Sequence, residues 1–364
     1  VPLHKGRGSS PSSFPSGTVT ALNAANYQRV DRAEYTVSGH ADQVEIELGA
    51  YNEAAGGDTA AIDEMVLEIQ GKVSDLKHDI ERQFYSNGDA LIAQCTTTSG
   101  SATINLLNTG YGYDALLREW LVPGEVIDIG TTASEAAVVA DAVITDVSVD
   151  ATTPTITINS AVTTSSSHYV SIANARAGTT SYESPGLRNI TATTGALGGL
   201  NPATAGEGFW KGGPGQTETT LSLPGLLTMV RGIKQKNGPK RLMLITSLKQ
   251  EQAFYELLQN QVRFTTDKVE AGNVEKAVFG GAEIWADPNC PDREAYVIDP
   301  NVLAIVTGAK IKAPRWASEI GGDASTAGLI WRQGYNSFVD GLFFPCSLAT
   351  RKRNAGTQNI SLTT

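Results

Sequence analysis

The side chains able to do chemistry are few and scattered along the chain. There are four histidines, His4, His40, His78 and His168, and no two lie at metal-ligand spacing. The His-Glu-x-x-His pattern of zinc hydrolases is absent, as is any His–carboxylate cluster. Ser167 directly precedes His168, so a serine–histidine nucleophile pair is the one hydrolytic reading the spacing allows. No Gly-x-Ser-x-Gly elbow accompanies it. Two glycine-rich stretches invite a phosphate reading. Gly212 to Thr217 lacks the Lys-Ser/Thr of a phosphate loop, and Gly195 to Leu200 lacks the spacing and acidic partner of a dinucleotide fingerprint, so both read as loops. Cys95, Cys290 and Cys346 are odd in number and widely spaced, which points to neither a zinc site nor a disulfide framework and favours folding in a reducing compartment. Asn189-Ile190-Thr191 and Asn359-Ile360-Ser361 fit the glycosylation pattern, which means little without a secretory signal. We expect no catalytic residue, no cofactor and no metal site.

Composition points the same way. Only 18% of the 364 residues are charged, against about a quarter in an average soluble domain. Together with 37 glycines and many Thr, Ser and Ala, this suggests β-structure, loops and surface that ends against neighbours. The net charge of −10 opposes gripping nucleic acid through its phosphates. Basic residues gather modestly at Arg231 to Arg241 and at Arg351-Lys352-Arg353, both read as solvated or interface patches. No apolar run approaches the ~18 residues of a membrane span. The opening Val-Pro-Leu-His-Lys-Gly-Arg-Gly has no signal-peptide core.

The elements that would position these residues follow from periodicity. Residues 1 to about 30, rich in Ser, Pro, Gly and Thr, cannot bury a core of their own and should be extended or disordered alone. Over 33 to 57, Tyr35 and Val37, then Val44, Ile46 and Leu48, flank a Ser38 to Asp42 turn signal, which reads as a β-hairpin. Residues 58 to 86 carry apolar side chains at Ile62, Val66, Ile69, Val73, Leu76, Ile80 and Phe84, the steps of a long amphipathic helix capped by Asp58 or Thr59 and ended by Asn87-Gly88. His78 on that helix reads as a surface residue. Between 102 and 182, strands are expected at 102–107, 125–129, 142–149, 155–158 and 168–172, a small β-barrel or sandwich. Leu221 to Lys236 reads as a helix, Arg241 to Thr246 as a buried strand, and Ser247 as the cap of a helix through Phe254, Leu257 and Leu258. Ala282 to Ala286 and Ala295 to Ile298 read as two strands joined by a tight loop holding Pro288 and Pro291. Leu329 to Arg353 returns as two β segments.

The stretch Phe279 to Pro300, with its Asp287-Pro288 turn and a strand ending in Asp299, and the closing Leu348 to Ala355 resemble tailed-bacteriophage major capsid proteins of the Hong Kong-type fold. Ser184 to Ile190 and Phe209-Trp210 resemble the segments that re-enter that fold and precede its axial helices. The resemblance implies an α+β Hong Kong-type phage capsid fold. Its parts would be an N-terminal arm (1–30), an extended-loop hairpin (31–57), a peripheral domain with a spine helix (58–101) and an inserted small β-barrel or sandwich (102–182). A mainly axial domain (183–295) and closing peripheral strands with a C-terminal axial strand (296–364) would follow.

It also implies function: a major capsid protein that self-assembles into pentamers and hexamers of an icosahedral head around double-stranded DNA. Its place would be the virion capsid, assembled in the bacterial cytoplasm, with portal, scaffold or decoration proteins as further partners and no membrane. Tyr35, Val37, Val44, Ile46, Leu48, Arg351, Lys352 and Arg353 are the expected contacts between subunits. The rival readings are an encapsulin-like compartment shell, an extracellular β-rich adhesin, and a hydrolase using Ser167 and His168. Some relatives weld their shells by Lys–Asn isopeptide bonds with the lysine on the extended loop, but residues 33 to 57 hold no lysine. Intact particles run on a denaturing gel are therefore expected to give single-chain bands, and covalent ladders would contradict this.

Overall fold

Val73, Leu76, Ile80 and Phe84 recur three and four residues apart, and they share one face of a helix that runs Thr59–Tyr85. That face is what the rest of the fold is laid against. The computed structural model describes residues 2–6, 27, 29–55, 59–238, 241–259, 278–308, 311, 313–316, 330–331 and 334–362.

In chain order the first elements are β1 (Pro2–Gly6), β2 (Arg29–Arg32), β3 (Ser38–Glu47), α1 (Leu48–Ala55), α2 (Thr59–Tyr85), β4 (Ala93–Gln94) and β5 (Thr98–Asn105). Next come α3 (Gly112–Leu117), β6 (Val126–Gly130), β7 (Val139–Ser148), β8 (Thr155–Thr164), β9 (Tyr169–Ile172), β10 (Arg176–Ala177), β11 (Thr180–Ser181) and α4 (Leu187–Ile190). The remainder is α5 (Leu223–Asn237), β12 (Leu242–Thr246), α6 (Leu248–Gln259), β13 (Val278–Phe279), β14 (Ala282–Ala286), β15 (Ala295–Ile298) and β16 (Leu303–Thr307). It closes with β17 (Arg315–Trp316), β18 (Ile330–Trp331), β19 (Ser337–Thr350) and β20 (Gly356–Asn359).

The strands form three larger sheets. The first has order β13-β14-β12-β15-β20 and packs α5 and α6 over a core of Leu226, Met229, Ile233, Leu244, Phe254 and Val297. In the second, β19 pairs with β16, β17, β18 and, from Ser337 to Cys346, β3. Helix α2 lies against it, burying Leu76 and Ile80 with Leu342 and Cys346. The third has six strands in order β4-β9-β6-β7-β8-β5, and a bridge between Cys95 and Leu106 joins its two ends. Its core of Ile104, Ile127, Ile129, Ile144, Ile156 and Val170 comes from the inward-facing residues of β5 to β9.

Several elements differ from expectation. The segment 33–57 does not pair with itself: Ser38 to Asp42 is not a turn but the start of β3, and α1 follows from Leu48. Residue type alone signals a turn there, yet β19 supplies a complete ladder from Ser38↔Cys346 to Glu47↔Ser337, and the ladder outweighs the local preference. Strands β14 and β15 are not neighbours. β12 lies between them, parallel to β14 and antiparallel to β15, an order on which the reading of two strands joined by a loop is silent. His78 is half-buried, its Nε2 at 2.8 Å from the Arg118 carbonyl, not a free surface group. At the N-terminus β1 pairs with β2, and Leu3 is buried with Ala33, Tyr85 and Leu187, so this end of the arm packs on the subunit itself. Most of the arm (7–26) and the cap residue Asp58 lie outside the described residues.

A buried polar junction holds the three sheets in register. The loop between β14 and β15 is shaped by its own backbone: Asn289 N–H donates to Asp287 Oδ1 at 2.8 Å, and Cys290 N–H to the Asp287 carbonyl at 3.1 Å. Glu294, with 0% exposure, accepts from Arg188 Nε at 2.8 Å, Tyr111 Oη at 2.6 Å and Tyr296 Oη at 2.5 Å. Arg118 donates to Asp114 at 2.5 Å, Asp292 at 2.6 Å and the Cys290 carbonyl at 3.0 Å. Tyr85 at the end of α2 donates to Asp287 at 2.5 Å. Arg82 joins α2 to Glu183 and, at 2.7 Å, to Asp79. The Arg82 pairing holds the Asp79 carboxyl below its usual range, although burial pushes the other way.

Replacing Glu294 by Leu leaves Arg188 buried without its carboxylate and should destabilise the subunit by about 3–5 kcal/mol. Thermal melts of the variant and parent test this. His40 is a second probe. It is buried against the Cys346 carbonyl and Gln83, with Asp79 and Arg82 nearby, and burial lowers its pKa. A base with a depressed folded pKa contributes its full stability above the unfolded value of about 6.5 and loses it as pH falls through the folded value. Glu125 acts in the opposite sense, since burial raises it to about 7 and its penalty grows with rising pH. The stability advantage of the parent over His40→Gln should therefore shrink as pH falls below about 6.5, as chemical denaturation at stepped pH would show.

Candidate functional site

The residues that could have supplied catalysis are not assembled for it. Ser167 Oγ lies 2.8 Å from Ser165 Oγ. His168 Nδ1 accepts the Ser165 N–H at 3.0 Å and lies 3.4 Å from Ser165 Oγ. The Ser-x-Ser-His run is thus a self-bonded turn between β8 and β9, not a nucleophile with its base. Gly212, expected in a loop, serves close backbone packing. A Cβ there would sit 1.9 Å from the Thr191 carbonyl oxygen, and its N–H donates to Ala192 at 2.8 Å. Cys95, Cys290 and Cys346 are free and buried, and burial pushes the Cys95 and Cys346 thiols up to about 12 and about 11. Thiols so raised stay protonated and inert near neutral pH. Among the described residues no group of three His, Cys, Asp or Glu could hold a metal, and no helix is long and apolar enough to cross a membrane.

What remains is surface. The candidate contact residues fall into two sets. Val44 and Ile46 are 1% and 5% exposed and pack inside the chain. Tyr35 donates to the Thr350 carbonyl at 3.0 Å, and burial pushes its phenol up to about 12. Arg353 is also internal at 1% exposure. It donates to the carbonyls of Asn189 and Gly195 at 2.7 Å and of Thr194 at 3.0 Å, tying the loop after α4 to the end of β19. Burial without a carboxylate partner lowers its pKa to about 10. Val37, Arg351 and Lys352 are exposed and Leu48 half-buried. The structure therefore brings Tyr35 and Arg353 together at the end of β19 and leaves Arg351 and Lys352 as a bare basic corner.

Periodicity missed other exposed groups. Leu67 on α2 is 72% exposed and Ile305 on the edge strand β16 is 55% exposed. Leu67 lies off the apolar stripe of its helix, which the helical period marks, whereas Ile305 sits in an apolar run whose signal is burial. Beside β16 runs an apolar groove of about 340 Å³, bounded by Phe84, Tyr85, Met243, Ile245 and Leu348. An apolar edge strand of this kind pairs with other chains unless something covers it.

A family model described as SU10 major capsid protein matches residues 156–327, from β8 to beyond β17. In the cyanophage A-1(L) capsid asymmetric unit, a chain of 12% identity superposes with a TM-score of 0.57 over 100% of this chain and 88% of that one. A chain of Gordonia phage Cozz, 11% identical, gives 0.45 over 100% and 81%, and one of Mycobacterium phage Patience, 9% identical, gives 0.44 over 98% and 78%. No curated protein matches the chain. The chain therefore has the Hong Kong-type capsid fold, and over residues 156–327, which include strands of all three large sheets, it is similar to a bacteriophage major capsid protein family.

Proposed function

We propose that copies of this chain associate into pentamers and hexamers that tile an icosahedral head around double-stranded DNA. The SU10 major capsid protein match carries this reading. The surface supports it: isolated residues such as Leu67 and Ile305 are exposed on regular elements, where a neighbour can cover them. Closed shells need only modest contacts, because many are made at once and closure leaves no free edge. The −10 charge fits a wall that encloses DNA without gripping it.

Within the subunit, residues 1–30 act as an arm and 31–57 as the extended segment, while 58–101 and the closing strands of 296–364, apart from the C-terminal axial strand β20, form the peripheral part. Residues 183–295 form the axial part, with 102–182 inserted between. Strand β3 and helix α1 take the place of the expected hairpin. The part is structural and not enzymatic, and portal, scaffold or decoration proteins complete the head.

Purified protein should form closed particles in negative-stain electron microscopy and protect duplex DNA from nuclease when made during infection. Leu67→Asp and Ile305→Asp change side chains that the subunit does not bury, so each should leave a folded, soluble chain while lowering particle yield at least roughly tenfold, the effect of burying an unpaired charge at a contact. Normal particles from both variants would place these residues outside the interfaces.

A further inference from the structure

A cleft of about 980 Å³ opens between the β3–β19 ladder and strands β6, β7 and β9 of the six-stranded sheet. Most of its wall is apolar. Trp331 and Phe343, 47% and 40% exposed, stand on one side. The carboxylates of Asp42, Glu125, Asp141 and Asp340 line it from four different segments. Lys72 Nζ lies 3.7 Å from Asp42, and Arg82 acts on Glu125 from farther off. Aromatic faces beside carboxylates are the chemistry that holds a guanidinium or ammonium group.

The complementary group is on the same chain. Arg351 and Lys352 are exposed, and neither cationic head reaches a carboxylate among the described residues. Their backbone is fixed: Arg351 N–H donates to the Val302 carbonyl at 2.9 Å and Lys352 N–H to Thr350 Oγ1 at 3.2 Å. The next residue, Arg353, is anchored in the interior. A corner held this way loses little freedom on docking.

We propose that the cleft receives the Arg351–Lys352 corner of a second copy of this chain. The inference rests on the self-assembly reading and gives it a specific contact. The cleft and the corner occupy opposite ends of one strand. From Gly341 to Arg351 is ten steps along β19 and its end, about 33 Å at ~3.3 Å per residue. A subunit cannot fill its own cleft with its own corner across that distance. Two different patches at the two ends of a rigid element define a head-to-tail contact, which closes into a ring when the rotation permits. The shielded side of the cleft adds a driving force. Burial raises the Glu125 carboxyl to about 7, with Asp79 and Asp75 adding to the effect and Arg82 opposing it, and an incoming cation relieves that penalty.

Charge exchange tests the contact. The full chain carrying Arg351→Glu and Lys352→Glu, and separately the chain carrying Asp42→Lys and Asp141→Lys, should each lose particles at least roughly tenfold in sedimentation and electron microscopy. Circular dichroism checks that each remains folded. The chain with all four changes presents an acidic corner to a basic cleft and should regain particles. If the parent assembles and the corner variant assembles equally well, the proposed contact is wrong and the shell reading stands. If the corner variant fails and the four-change chain, folded, fails as well, the corner matters but does not meet this cleft, and the proposal is again overturned. Should the cleft variant not fold, isosteric Glu125→Gln with Asp141→Asn takes its place against the corner variant, and unchanged assembly would equally overturn the contact. A parent that forms no particles at all would instead count against self-assembly.

Discussion

Glu294 is a carboxylate with no contact with water, and the relation between the sheets depends on it. A buried charge is tolerated only when its oxygens are fully engaged. Here the donors come from Tyr111 beside α3, Arg188 on α4 and Tyr296 on β15. Removing any one of these elements would strand the charge. Arg118 binds the same loop from the other side through Asp292 and the Cys290 carbonyl. The first and second sheets share an apolar cluster of Tyr296, Ile298, Leu348 and Leu303, while the six-stranded sheet keeps a core of its own. Directional, charge-assisted hydrogen bonds between them permit only one arrangement.

A rigid junction suits a shell. Each subunit of a closed surface must present its contacts at fixed angles, and an error at the joint of a subunit is repeated in every copy. Strand β19 does similar work along its length. It is the common partner of β3, β16, β17 and β18 and carries the sheet beneath α2. Pro345 falls where the ladder on one side passes from β17 at Leu342–Phe343 to β16 at Cys346–Thr350, a position where the missing N–H interrupts neither pairing.

Much of this was legible in the sequence, and what was legible has a physical pattern. Helix α2, strands β6, β7, β9 and β12 and helices α5 and α6 fell within a few residues of expectation, and β8 began where expected but runs on to Thr164, because each carries a local period or a cap: Ser222 and Ser247 both accept from the first turns of their helices. The failures were all non-local. Ser38 to Asp42 is rich in turn formers, and only the distant β19 makes it a strand. The insertion of β12 between β14 and β15 depends on where a helix returns the chain, which side-chain type does not encode. Arg353 was read by its charge, but what decides its place is a set of backbone carbonyls brought together from residues 189 to 195.

The same distinction explains why the chemistry-bearing residues misled less than the surface did. A catalytic or metal centre needs several rare residue types converging, and their scarcity in a sequence is itself informative. An assembly surface needs only ordinary apolar and charged side chains left uncovered, and nothing in residue type separates Leu76, buried under β19, from Leu67 two and a half turns away and open to solvent. Nine residues in a helix of 3.6 per turn place the two on opposite faces. The inner face is fixed by the subunit's own sheet. The outer one meets no such sheet among the described residues, which leaves Leu67 open to a neighbour.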